Sequence, residues 1–232
     1  AAPAFAEAEK YTLDPSHSQI VFTYNHLGFS TTAGMFSGFN GEIMFDQADP
    51  AASSVTVSFP VKTMLTGWQE RFDHFMTPDF FDAKEDEMVS FKSTAIEVTG
   101  EKTAKITGDL TLNDVTKSVV LDAVLNQAGE HPMAKTPWAG FSATTTLIRS
   151  DYNLGMFAPY VSDEVQVQIS IEAMKADLSP AGRRRRIVRG ERNAARPRPR
   201  RRRDQSRDGA GEARRHEPAR ARRSARRRTG GA

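Results

Sequence analysis

The chain has 232 residues and no cysteine, which excludes a disulfide framework and any cysteine-based zinc site. Its formal net charge of +3 hides two unlike parts: residues 1–176 carry 11 Lys and Arg against 23 Asp and Glu, a net of −12, and residues 177–232 carry 21 against 6, a net of +15. No apolar run approaches the roughly 18 residues of a membrane helix, so no membrane span is expected.

The first ten residues, AAPAFAEAEK, contain Ala4-Phe5-Ala6 followed by Glu7. That resembles the small-x-small end of a secretory signal, and residues 1–10 read as a flexible remnant of export.

From Tyr11 to Lys175 the dominant period is two. SQIVFTYNHLGF sets Ile20, Phe22, Tyr24 and His26 on one face and Val21, Thr23, Asn25 and Leu27 on the other. SVTVSFPV, KITGDLTL and EVQVQISIEA repeat the alternation, each as a half-buried strand. Asn40-Gly41, Asp49-Pro50, Thr99-Gly100-Glu101 and Asn113-Asp114 supply turn chemistry between the segments. About eight strands follow, near 18–27, 35–46, 54–62, 88–99, 103–113, 116–127, 138–149 and 163–175, which predicts an all-β antiparallel barrel or sandwich in one domain over residues 11–176.

TGWQERFDHFM interrupts the strands with Trp68, Arg71, Phe72 and Phe75 at helical spacing, and Pro78 stops the helix. Trp68, Phe72, Phe75, Phe80 and Phe81 are too many aromatics to face water together. They are expected to plug one end of the barrel or to cover a cavity. Eight strands make a barrel that is either just filled or holds one small ligand, and Gly34, Gly41, Gly108, Gly140, Ser142 and Thr144 lean toward room inside.

Acid/base chemistry would need His74 held by a carboxylate, yet its neighbour Asp73 does not share its helix face. There is no G-x-S-x-G elbow and no phosphate-cradling loop. A hydrolase-like set of His74, Asp73 and Arg71 stays as an alternative, but the chain reads as a non-enzyme. His17, His26, His74, His131 and His216 are dispersed, so no metal is expected.

LDPSHSQIVFTYNHLGFSTTAGMFSGFNGEIMFD, GWQERFDHFMTPDFFD, SFKSTAIEV, ITGDLTLNDVTKSVVL and RSDYNLG…VSDEVQVQISIEA, in this order, resemble the YceI family of exported lipocalin-like proteins. The resemblance covers about residues 11–175. It implies a closed eight-stranded lipocalin-like barrel with a helical insertion and a long apolar interior. It also implies a periplasmic carrier that binds polyisoprenoid chains such as those of isoprenoid quinones, with the bound lipid as ligand and no other cofactor. Phe22, His26, Phe36, Phe45, Phe59, Met64, Trp68, Phe72, Phe75, Phe91, Leu110 and Ile169 are then the expected ligand-binding residues. Arg71, His74, Asp79, Arg149 and Asp151 form a polar rim. Arg149 and Asp151 lie two apart and, on a strand, would share a face and form a mutual ion pair. A homodimer is left open.

From Gly182 onward the chain has no aromatic residue and only Ile187 and Val188 as large apolar ones, so residues 177–232 are expected to be disordered. Such a tail could neutralise phosphates of nucleic acid or anionic lipid, but missing aromatics exclude base stacking and no specific nucleic acid is expected. All 21 of its basic residues are Arg, whereas the acidic part has nine Lys and two Arg. Arg, Ala, Gly and Pro are the residues of GC-rich codons, which favours a frame-shifted extension over a functional arm.

Overall fold

The computed structural model describes residues 8–176. Ala4-Phe5-Ala6 and the arginine-rich tail lie outside the described residues, and so do the expectations placed on them.

Ten strands and one helix follow in chain order: β1 (Glu9–Leu13), β2 (Gln19–His26), β3 (Ser30–Phe36), β4 (Asn40–Phe45), β5 (Ser54–Pro60), α1 (Gln69–Phe75), β6 (Met88–Val98), β7 (Thr103–Leu112), β8 (Val115–Glu130), β9 (Pro137–Ile148) and β10 (Glu164–Lys175). Eight of them, β1-β4-β5-β6-β7-β8-β9-β10, pair in antiparallel order, and β1 pairs back onto β10 to close a barrel. The sandwich alternative is thereby set aside. The β2–β3 hairpin occupies the wall position above β1 and β4: β10 pairs with β2 over Gln166–Ser170 and with β1 over Ala173–Lys175. Two wall positions are therefore each filled by two short strands, and each of the other six by a single strand.

This refines the expected boundaries. Glu9 and Lys10 already pair with Phe45 and Met44, so a boundary after residue 10 falls inside β1. The strand expected at 35–46 is broken at Ser37–Phe39, where Gly38 takes φ +72°. Asn40 and Gly41 do not turn the chain; they open β4, with Gly41 opposite Val57. A Cβ at Gly41 would stand 2.3 Å from the Thr56 carbonyl oxygen and 2.8 Å from Val57 Cα, so glycine is needed here for close backbone approach rather than for a turn. Asn113 and Asp114 do turn the chain, at φ 50° and 59° between the paired Leu112 and Val115. That is the left-handed pair a two-residue hairpin requires.

Register fixes which face of each strand is inner. Ile20, Phe22, Tyr24 and His26 point to the interior, as do Val55, Val57 and Phe59 on β5, Ile106, Leu110 and Leu112 on β7, and Val165 to Ile171 at alternate positions on β10. Register shifts at Ser93/Ala95 in β6 and Leu125/Gln127 in β8 supply the local bends that closure of a twisted sheet needs. A chain of rings, Phe22–Phe36–Phe59–Phe39, packs with centroids 5.5, 5.1 and 4.9 Å apart.

α1 crosses an end of the barrel, and antiparallel order places the 27–29, 61–87, 113–114 and 149–163 connections at that same end. The helix has no side-chain cap and stops at Met76, two residues before Pro78. Phe72 and Phe75 pack on the core. Trp68 departs from the expected burial of all the aromatics, since it is 59% exposed.

Candidate ligand-binding site

The barrel encloses a cavity of about 760 Å³, within the 300–1,000 Å³ typical of small-molecule sites. It runs the length of the barrel, from His26, Trp68 and Phe157 at the α1 end to Pro50, Ser53 and Gly100–Thr103 at the other. The wall between is almost entirely apolar because each strand contributes its alternate, inward-facing residues.

Of the twelve expected ligand-binding residues, Phe22, His26, Phe36, Phe45, Phe59, Met64, Trp68, Phe75, Phe91, Leu110 and Ile169 line this cavity, and Phe72 does not. Phe72 turns instead to the core beside it. Some of the small residues serve a different purpose from the one expected. A Cβ on Gly34 would lie 2.2 Å from Phe22 Cζ, and one on Gly108 would lie 2.3 Å from Phe91 Cζ. Those two glycines make room for neighbouring rings, so they do not enlarge the lumen.

The polar groups are divided. Arg71, His74 and Arg149 line the cavity, whereas Asp79 and Asp151 do not. Arg71 donates to the Thr66 carbonyl at 2.9 Å and lies 5.9 Å from the centre of the Trp68 ring. His74 Nε2 stands 3.3 Å from Asp79 Oδ2, and Asp73 accepts instead from Gln69 at 2.8 Å. The Arg71–Asp73–His74 set is thus not assembled as a unit.

The expected Arg149–Asp151 pair is corrected. Arg149 to Tyr152 form a 3₁₀ turn rather than a strand, so the two side chains do not share a face. Asp151 pairs with Lys117 at 2.8 Å. Arg149 donates to the carbonyls of Ser162, Met156 and Val161, each at 2.8 Å, and to that of Leu154. Burial pushes the guanidinium below its ordinary pKa, partly offset by Asp163 and Tyr24. Its role is to fasten the 150–162 connection, and Ser150 reinforces this by donating from N and Oγ to the Asp163 carboxylate at 2.8 and 2.5 Å.

That connection carries lining residues the sequence reading passed over: Tyr152, Leu154, Phe157 and Val161. Irregular backbone has no period to betray its inner face, although NLGMFAPYV is an apolar loop and could have been flagged as such. Phe141, Thr145 and Leu147 of β9 were also passed over, because ATTT reads as a polar strand.

On the outer wall, where β1 gives way to β2, Asp14, His17 and Glu172 bring their ligand atoms within 4.8 Å of one another. His17 Nδ1 is already 2.6 Å from Asp14 Oδ2 and its side chain is 65% exposed, so the group reads as a surface hydrogen-bond cluster.

A family model described as the YceI-like domain matches residues 11–173. The chain belongs to the YceI-like family. Curated relatives include UPF0312 proteins of Ectopseudomonas mendocina, 38% identical over 73% of this chain and 90% of that protein, and of Pseudomonas putida, 38% identical over 73% and 88%. Among solved structures, Burkholderia cenocepacia BcnA is similar at TM-score 0.62 with 25% identity, over 69% of this chain and 98% of that one. The Campylobacter jejuni YCEI protein is similar at TM-score 0.60 with 28% identity, over 66% and 90%. A polyisoprenoid binding domain from Saccharophagus degradans shares the fold at TM-score 0.56 and 13% identity, over 74% and 100%. The YceI-like match ends at residue 173, within β10, so the arginine-rich segment is no part of it.

Proposed function

We propose that this YceI-like barrel binds a long-chain isoprenoid lipid, of the polyprenyl or isoprenoid-quinone type, and carries it in the periplasm. The observation that supports this reading is the cavity: about 760 Å³, continuous along the barrel axis and walled by aliphatic and aromatic side chains. A hydrocarbon guest needs a dry tunnel and few directional contacts, because each buried CH₂ contributes about 0.8 kcal/mol and a five-carbon unit about 4 kcal/mol. The polar groups His26, Arg71 and His74 at the α1 end suit a head group held near water with the tail running inward. The solved domain from Saccharophagus degradans titled as polyisoprenoid binding supports the choice of chain, and Ala4-Phe5-Ala6 supports export.

Organic extraction of the purified protein followed by mass spectrometry tests the reading. An isoprenoid recovered at near one per barrel is the expected result. Preparations that are consistently empty, and that take up no polyprenol or quinone on incubation, would sink it.

A further inference from the structure

The loops at the α1 end hold an unusual share of the molecule's exposed apolar side chains. Leu27 and Phe29 at the β2–β3 turn are 48% and 91% exposed, and Met156, Phe157 and Tyr160 in the 149–163 connection are 39%, 52% and 76% exposed. Trp68, at 59%, adds a further ring at the same end. The first two loops form one surface: the Leu27 amide donates to the Tyr160 carbonyl at 3.0 Å, and the Ser162 amide to the Asn25 carbonyl at 3.0 Å.

Charge is absent from these segments. Residues 27–29 (LGF), 64–68 (MLTGW) and 154–161 (LGMFAPYV) contain no Asp, Glu, Lys or Arg, in a part of the chain with 34 such residues over 176 positions. The opposite end of the cavity is lined by Glu101 and Lys102. The α1 end carries charge too, but on other segments: Glu70 and Arg71 of α1 and Arg149 line the cavity there, and Asp82–Glu87 lies in the β5–β6 connection.

We propose that these uncharged loop tips, around Phe29 and Tyr160, dock the barrel onto a lipid bilayer, with the cavity mouth facing the interface. Exposed aromatics on projecting loop tips, with Trp and Tyr among them, are the side chains that settle at a membrane–water interface. The rim is continuous with an apolar cavity, since Phe157, Trp68 and His26 line its mouth. A hydrocarbon guest leaving a bilayer at this point need not cross water. The acidic surroundings make the surface one for zwitterionic lipid, and they oppose stacking of two −12 domains face to face. The mouth's use rests on the lipid-binding reading; the docking itself is read separately from extraction.

The test is co-sedimentation of the full chain with phosphatidylcholine vesicles in about 1 M NaCl, where screening to about 3 Å silences attraction by the arginine-rich segment. Wild type is expected to partition onto vesicles. Phe29→Ser and Tyr160→Ser touch no core and are each expected to weaken partition about tenfold. Met133→Ser, at the opposite end and 85% exposed, should change nothing. Wild type that stays in the supernatant, variants that sediment like wild type, or equal loss in Met133→Ser would overturn the proposal. So would a dimer in sedimentation velocity that F29S/Y160S abolishes, which would give the face to a second copy.

Discussion

The Phe22 ring occupies the space that Gly34 leaves open: the two are cross-strand partners on β2 and β3, and a Cβ at 34 would stand 2.2 Å from Phe22 Cζ. The atom that would have to move is the far end of a side chain lying in the cavity wall. Gly34→Ala is therefore expected to push the ring into the lumen, costing little stability and shortening the space for a guest. Competition between polyprenols of increasing length, measured on G34A and wild type, should show long chains lost first.

Gly41 makes the contrasting case. Its neighbours are backbone, Thr56 O and Val57 Cα, and backbone in a paired ladder cannot swing aside. Gly41→Ala should cost about 1–3 kcal/mol, read as a lower denaturant midpoint at unchanged slope.

Filling the lumen should separate binding from folding. Ala143 is buried on β9, faces inward and lines the cavity. Ala143→Phe should leave the far-UV spectrum of the barrel intact and cut the extractable lipid at least tenfold. Retention of a full complement of lipid would place the guest elsewhere.

Arg149 holds four carbonyls of one connection, a task for a planar fork of donors that an ammonium does not replace. Arg149→Lys should leave carbonyls underpaired at about 1–3 kcal/mol. Limited proteolysis should then cut within residues 150–162 faster than in wild type, with the strands unaffected.

Asp14 and His17 set a pH window. Burial pushes the Asp14 carboxyl up, but hydrogen bonds from Ser16 and His17 outweigh it and hold it below its ordinary 3.8; the Asp14 hydrogen bond and charge hold His17 above its ordinary 6.5. A lowered carboxylate stabilises fully above its unfolded value and loses that as pH falls through the folded one. A raised imidazole stabilises fully below its unfolded value and loses that as pH rises through the folded one. The gap in Tm between wild type and His17→Ala should thus be widest between about pH 4 and 6.5 and close on both sides. A gap that is flat with pH would remove the ion pair from the account.

Strand alternation was enough to place β2 and β5 to β10 and to group Ile20, Phe22, Tyr24 and His26 on one face, because a period of two is a local property. The same evidence missed β1, whose five residues are too short to show a period, and missed Ser30–Gly34 of β3, joining only its last two residues to β4 across Gly38. Arg149 and Asp151 were paired on the assumption of a strand. The 3₁₀ turn there comes from its fastening to Asp163, fourteen residues later, which no local window contains.

Residue types and their order were thus sufficient for the family, the barrel class, the helical insertion and most of the cavity wall. Chain closure through β1 on β10, the choice of inner face, the emptiness of the lumen and the meeting of the 27–29 and 154–161 loops were settled only in three dimensions. All four depend on contacts between segments far apart in the chain, whose register and spacing are decided by packing around the whole ring.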